Sequence, residues 1–302
     1  MSTEATLDQL VLTNIAAIFN AQLNNFTFYT AMPSLPETEE DWAQFLDVVP
    51  QAEVFHSNSN LSHYFSQVYG QILKAQISQP IAIQIGNKQF NNVDNWVVPF
   101  SIPKYVPTLV SAQAAMQQAT QTKITLASAQ QNIVVPPYPE FPEIVVSTPL
   151  IDFCHAVAQN NFTITVAFDQ SVCLPIQVGA WYASAAFLYA YQTPNNWDAS
   201  IISWDEVFNP DTGILRYINT GTAIVSDMTL TLQVSGTYNQ ATIEALENIP
   251  QQVLFPFYRQ INTSTPIYIL EPNNNISIKL QVPKSNGYYL FGMQYQNVRN
   301  LL

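Results

Sequence analysis

The chain states one phrase twice. Asn24-Asn25-Phe26-Thr27 opens the run NNFTFYTAM, and Asn160-Asn161-Phe162-Thr163 opens NNFTITVAF, about half the chain further on. Each copy follows a helix-like stretch, AAIFNAQL before the first and DFCHAVAQ before the second. A period this long is too large for a solenoid and points to two copies of one domain in tandem. The length of 302 residues accommodates two domains of roughly 140 residues each. Between the copies, residues 136–149 (PPYPEFPEIVVSTP) hold five prolines in fourteen positions. Such a stretch is stiff and extended, and it reads as a linker. The expected division is therefore residues 1–24 as an N-terminal helix, 25–135 and 150–302 as the two domains, and 136–149 as the connection.

Leu7, Leu10, Val11, Ile15, Ile18, Phe19 and Leu23 form one apolar stripe at helical spacing, with Ser2 or Thr3 available as its cap. The stripe either packs on its own domain or serves as an assembly arm against a neighbour. Beyond it the apolar period is mostly two, which signals strands. Ile81, Ile83 and Ile85 alternate, as do Phe162 to Phe168, Met228 to Val234 and Ile276 to Val282. Trp96 to Ile102, Trp181 to Tyr191 and Tyr288 to Tyr295 also read as strand regions. Helices are expected over Ser62–Ala75, Val110–Thr122, Leu150–Ala158 and Gln240–Asn248. Many short strands with turn-rich connections imply an all-β fold with minor α content, as two tandem jelly-roll or β-sandwich domains.

Only 10% of the residues are charged, against roughly 25% in an ordinary soluble protein. Asn, Gln, Ser and Thr supply the polarity instead. Charge is what keeps proteins apart in solution, so an amide-rich surface of this kind is suited to touching other proteins. The charge present is acidic, 21 Asp and Glu against 9 Lys and Arg. Nucleic-acid binding needs clustered cations to displace counterions, and direct binding is excluded on that ground. No secretory signal is visible at the N-terminus, and no apolar run is long enough for a bilayer-spanning helix.

Signatures of chemistry are few. His56, His63 and His155 are all the imidazole there is, and His56 and His63, seven apart, have no carboxylate or cysteine at ligand spacing beside them. There is no nucleophile elbow, phosphate loop or dinucleotide fingerprint. Cys154 and Cys173 make no disulfide framework and read as buried thiols. Asp205 and Asp211, in WDEVFNPDTG, are weak calcium candidates in what reads as a polar turn. Asp205 and Glu206, as neighbours on a strand, would point to opposite sides and make no acid pair. Trp42, Trp96 and Trp197 each lie beside an Asp or Asn, an arrangement that sugar-binding proteins use when the rings are exposed. No catalytic residue and no cofactor are expected.

The two NNFT strand starts, the 136–149 linker, the amphipathic first helix and the helical stretches Val110–Thr122 and Gln240–Asn248 together resemble the double jelly-roll major capsid proteins of tailless icosahedral viruses. The resemblance is closest to those of bacteriophages with an internal membrane. It is architectural, spans the whole chain and rests on no diagnostic motif. It implies a homotrimer, because two barrels in each of three chains give a pseudo-hexagonal tile that contacts neighbouring capsomers. It also implies a virion location after assembly in the host cytoplasm, other capsid or membrane-associated virion proteins as further partners, and no active site. The alternative class is a β-rich toxin or lectin-like carbohydrate-binding protein.

Overall fold

The structure, a computed structural model, describes residues 5–22, 24–29, 33–50, 64–98, 101–127, 133–134, 162–235, 244, 253–254, 259–260, 265–271, 275–281 and 287–300. In chain order, the first elements are β1 (Ala5–Thr6), α1 (Leu7–Ile18), β2 (Phe26–Phe28), α2 (Glu39–Leu46), α3 (Phe65–Ala75) and α4 (Ile81–Phe90). There follow β3 (Trp96–Val98), β4 (Ile102–Pro103), β5 (Tyr105–Val106), α5 (Leu109–Gln118), β6 (Thr122–Ala127) and β7 (Ile133–Val134). Next come β8 (Phe162–Pro175), β9 (Gln177–Val178), α6 (Ser184–Gln192), α7 (Trp204–Phe208) and β10 (Tyr217–Ser235). The last are β11 (Val253–Leu254), β12 (Arg259–Gln260), β13 (Thr265–Glu271), β14 (Asn275–Gln281) and β15 (Tyr289–Asn297).

The nineteen-residue strand β10 organises a curled, seven-stranded antiparallel sheet. Along one edge it pairs with β8 from Gly221↔Pro175 to Val234↔Phe162, and β8 pairs in turn with β6. Along its other edge it pairs first with β15, over Tyr217 to Val225, and then with β14, over Thr229 to Ser235. Asp227 lies between those two stretches with a left-handed φ of 41°, at the place where the strand changes partner. Strand β13 extends the sheet beyond β14, and β2 extends it beyond β15. Strands from 25–135 and from 150–302 therefore share one sheet.

Phe162, Ile164, Val166 and Phe168 alternate on β8 and are buried, with Met228, Leu230 and Val234 buried opposite them on β10. Helix α1 packs here. Ile15, Ala16 and Phe19 are buried, and the Phe19 ring stacks on Phe26 at 5.8 Å and lies 6.2 Å from Phe168. Asn20 takes a left-handed φ of 54° just past the helix, a common way for a helix to end.

A second apolar core joins helices α2 to α7 to the N-terminal half of β10 and its neighbours. Local sequence explains several of its helices. Thr38 caps α2 by accepting the Asp41 amide at 3.1 Å, with Glu39, Glu40 and Asp41 at the positive end of the helix dipole. Ser203 and Glu206 form a reciprocal capping box at the start of α7. Gly86 lets α4 approach closely, because a Cβ there would meet Ala186 and Leu73 at 2.8 Å. At the centre of this core sits Trp181, fully buried and ringed by Phe65, Tyr69, Phe90, Trp96, Tyr105 and Tyr182.

The class is thus β-rich with a substantial helical layer, seven helices among the described residues. Three strand expectations are corrected. Ile81, Ile83 and Ile85 lie on helix α4, and most of Trp181–Tyr191 lies on or beside helix α6. Trp96–Ile102 is not one strand but the two arms of a short hairpin, β3 and β4. The 136–149 linker, the Leu150–Ala158 helix and all of the Gln240–Asn248 helix but Glu244, which is helical, fall outside the described residues.

Candidate functional site

Around the segment that the sequence singles out, the Glu206 and Asp198 carboxylates hold local structure. Asp205 lies in the first turn of α7 rather than on a strand, so the opposite-facing argument for it and Glu206 does not apply. The Glu206 carboxylate accepts the Ser203 amide at 2.7 Å, which holds it below its usual pKa. Asp198 is likewise lowered by accepting from the Ser200 hydroxyl and amide at 2.7 and 3.0 Å. Asp211 follows an Asn209 turn, with its amide donating to Asn209 Oδ1 at 2.9 Å and its carbonyl accepting from Arg216. Among the described residues no three His, Cys, Asp or Glu side chains converge as a metal site. His56, His63, His155 and Cys154 fall outside that set. Cys173 is half-buried, and burial pushes its thiol up to about 12, far from a reactive thiolate.

The tryptophans are not displayed to solvent as a sugar grip requires. Trp42, Trp96 and Trp197 are buried, and their indole N–H groups donate to the carbonyls of Pro107, Phe90 and Ala190 at 2.8, 2.8 and 3.0 Å. The candidate arm divides. Ile15 and Phe19 are buried in the chain's own sheet, and Ile18 is half-buried. The side chains of Leu7, Leu10 and Val11, and Leu23 altogether, fall outside the described residues.

One buried titratable group was not anticipated. Asp47 closes α2 and is only 2% exposed. Its Oδ1 accepts from the Ser66 amide at 2.9 Å and the Tyr105 hydroxyl at 2.6 Å, and its Oδ2 accepts from the Ser66 hydroxyl at 2.5 Å. The carboxyl thereby caps α3, whose own flanking residue Tyr64 provides no side-chain cap. Desolvation raises its pKa to about 6 even though the three donors pull the other way. No spacing rule in the sequence marks this contact, since Asp47, Ser66 and Tyr105 are brought together only by the fold.

What the surface does display is aliphatic. Ile77, Ile81 and Ile85 are 67%, 75% and 46% exposed, the last two one helical turn apart on α4. Val106 and Val110 are 52% and 73% exposed around the start of α5. Ordered helices rarely present such residues in groups without a partner. Compared with models of known families, with curated proteins and with solved structures, the chain finds no match.

Proposed function

We propose that the chain is a structural coat protein, a subunit that builds an icosahedral virion shell from copies of itself. The observation that carries this reading is the exposed aliphatic set on and beside ordered helices, Ile77, Ile81, Ile85, Val106 and Val110, in a chain with only 10% charged residues. Large, weakly polar contacts repeated by symmetry are the energetic basis of a shell. The polar groups support the same reading, because Asp47, Asp198 and Glu206 serve caps and turns. The reading assigns the chain no catalysis, no cofactor and no direct contact with nucleic acid.

The finer form of the proposal is the double jelly roll, assembled as homotrimers that make pseudo-hexagonal capsomers and then meet neighbouring capsomers and other virion proteins. Assembly would take place in the host cytoplasm. No helix among the described residues is long and apolar enough to cross a membrane, which accords with a coat subunit. The lectin alternative loses the feature that favoured it, since its tryptophans are buried. Electron microscopy of the purified chain tests the reading. Six-sided tiles or shells are the expected images, and isolated featureless monomers at high concentration would contradict it.

A further inference from the structure

Two of the chain's nine basic residues lie on the segment that carries the exposed isoleucines. Among residues 64–98 the charged side chains are Lys74, Lys88 and Asp94. Lys74 ends α3 and Lys88 lies in the last turn of α4, so both flank the exposed Ile77, Ile81 and Ile85. On α4, Ile81, Ile85 and Lys88 stand at i, i+4 and i+7, which places them on one face. Both lysines are exposed.

Elsewhere the same molecule carries the opposite combination. Glu37 and Glu40 are exposed at the start of α2. Glu39 Oε2 accepts the Leu109 amide at 2.7 Å, and the Trp42 indole donates to the Pro107 carbonyl at 2.8 Å. These two bonds hold the acidic end of α2 beside the exposed Val106 and Val110. One face is thus aliphatic with ammonium groups beside it, and the other is aliphatic with carboxylates, next to an exposed Lys104 whose ammonium is drawn off to the Asp94 carbonyl at 2.8 Å.

Resting on the coat reading, we infer that these two faces bind each other between copies: the Lys74–Ile77–Ile81–Ile85–Lys88 face of one chain docks on the Glu37–Glu40–Val106–Val110 face of the next. Two copies of a chain with net charge −12 repel each other over most orientations. This pairing brings the cations of one copy to the anions of the next while burying aliphatic surface from both. The contact is head-to-tail, because the two surfaces differ. A head-to-tail contact closes into a ring when its rotation permits and otherwise extends as an open array.

The test uses the full chain by sedimentation velocity over a concentration series, with near-UV circular dichroism to confirm that each variant is folded. Lys74→Glu with Lys88→Glu, and separately Glu37→Lys with Glu40→Lys, should each weaken self-association by about tenfold or more. An equimolar mixture of those two double variants should recover association into pairs and even-numbered assemblies, because the reversed charges face each other wherever the two variants alternate. Ile81→Gln with Ile85→Gln should weaken it as well, with no recovery by either partner variant. Wild-type chain that assembles with all variants behaving alike would overturn this pairing and leave the coat reading standing. Loss in the isoleucine variant alone, with the glutamate variant unaffected, would overturn the pairing by giving α4 a different partner surface. Wild-type chain that stays monomeric at every concentration would overturn the pairing and the coat reading together.

Discussion

The indole N–H of Trp181 donates to the main-chain carbonyl of Lys104 at 2.8 Å, across 77 positions of sequence. The same carbonyl accepts the Gly179 amide at 3.1 Å, and a Cβ at Gly179 would lie 2.2 Å from that oxygen. One oxygen before β5 therefore fixes the entry to α6 and seats the largest ring of the helical core. Trp181→Phe keeps an aromatic ring there but leaves volume unfilled and removes one of the carbonyl's two donors. The expected loss is about 2–3 kcal/mol of unfolding free energy in urea titration. A loss below about 0.5 kcal/mol would mean that the site repacks freely.

Asp47 predicts a pH dependence with a definite sign. Its folded pKa of about 6 stands above the ordinary 3.8, so the folded state binds the proton more tightly than the unfolded chain. Its contribution to stability is therefore full below pH 3.8, falls as pH rises through that window, and is gone above about 6. The total change is at most about 3 kcal/mol. Asp47→Asn should flatten this part of the stability profile relative to wild type, as measured by denaturant unfolding at several pH values. Parallel profiles for the two proteins would show that Asp47 has the same pKa in the folded and unfolded chain.

Phe19 ties α1 to the sheet through Phe26, Phe168 and Phe291, and Gln294 Nε2 donates to its carbonyl at 2.9 Å. Phe19→Ala should cost about 3–4 kcal/mol. Removal of residues 1–24 should then unfold the β2–β15 side of the sheet, rather than leave a folded subunit that merely fails to assemble. A truncated chain with native near-UV circular dichroism would return the helix to the role of a detachable arm.

The strand pairing makes its own prediction about the Pro-rich segment. Phe26–Phe28 pairs with 292–294 and Thr122–Ala127 pairs with 163–168. A protease site placed within 136–149 and then cut should leave two fragments that co-migrate and melt in one transition. Separate elution and two transitions would support two independent barrels divided at that segment.

The long strands were legible because one face of each is buried and the period of two survives in the residues: Phe162 to Phe168 and Met228 to Val234 pair in register as their alternation suggests. The extension of the Met228–Val234 strand back to Tyr217 was not legible, because Asp227 interrupts the pattern where β10 changes partner. Helix α4 was hidden because Ile81 and Ile85 face solvent while Ile83 is buried, so apolar spacing reported a strand. Pro80 at its cap and the Ala, Gln and Lys content were the signals available for a helix. For α6, Ala186 and Ala190 at i, i+4 marked a close-packed helical face, outweighed in the reading by its aromatics. Ser203 and Glu206 spell a capping box that marks the start of α7, a signal passed over when the segment was read as a strand end and polar turn. The candidate interface was legible only as a low charge content, because the side of a helix on which exposed isoleucines fall is set by tertiary packing.

The central claim is that this chain binds copies of itself, and the most direct measurement is its mass in solution by light scattering across a wide concentration range. The account predicts a mass that rises from the 33.8 kDa of one chain to a trimer or larger closed assembly. A mass that remains at one chain throughout would contradict it.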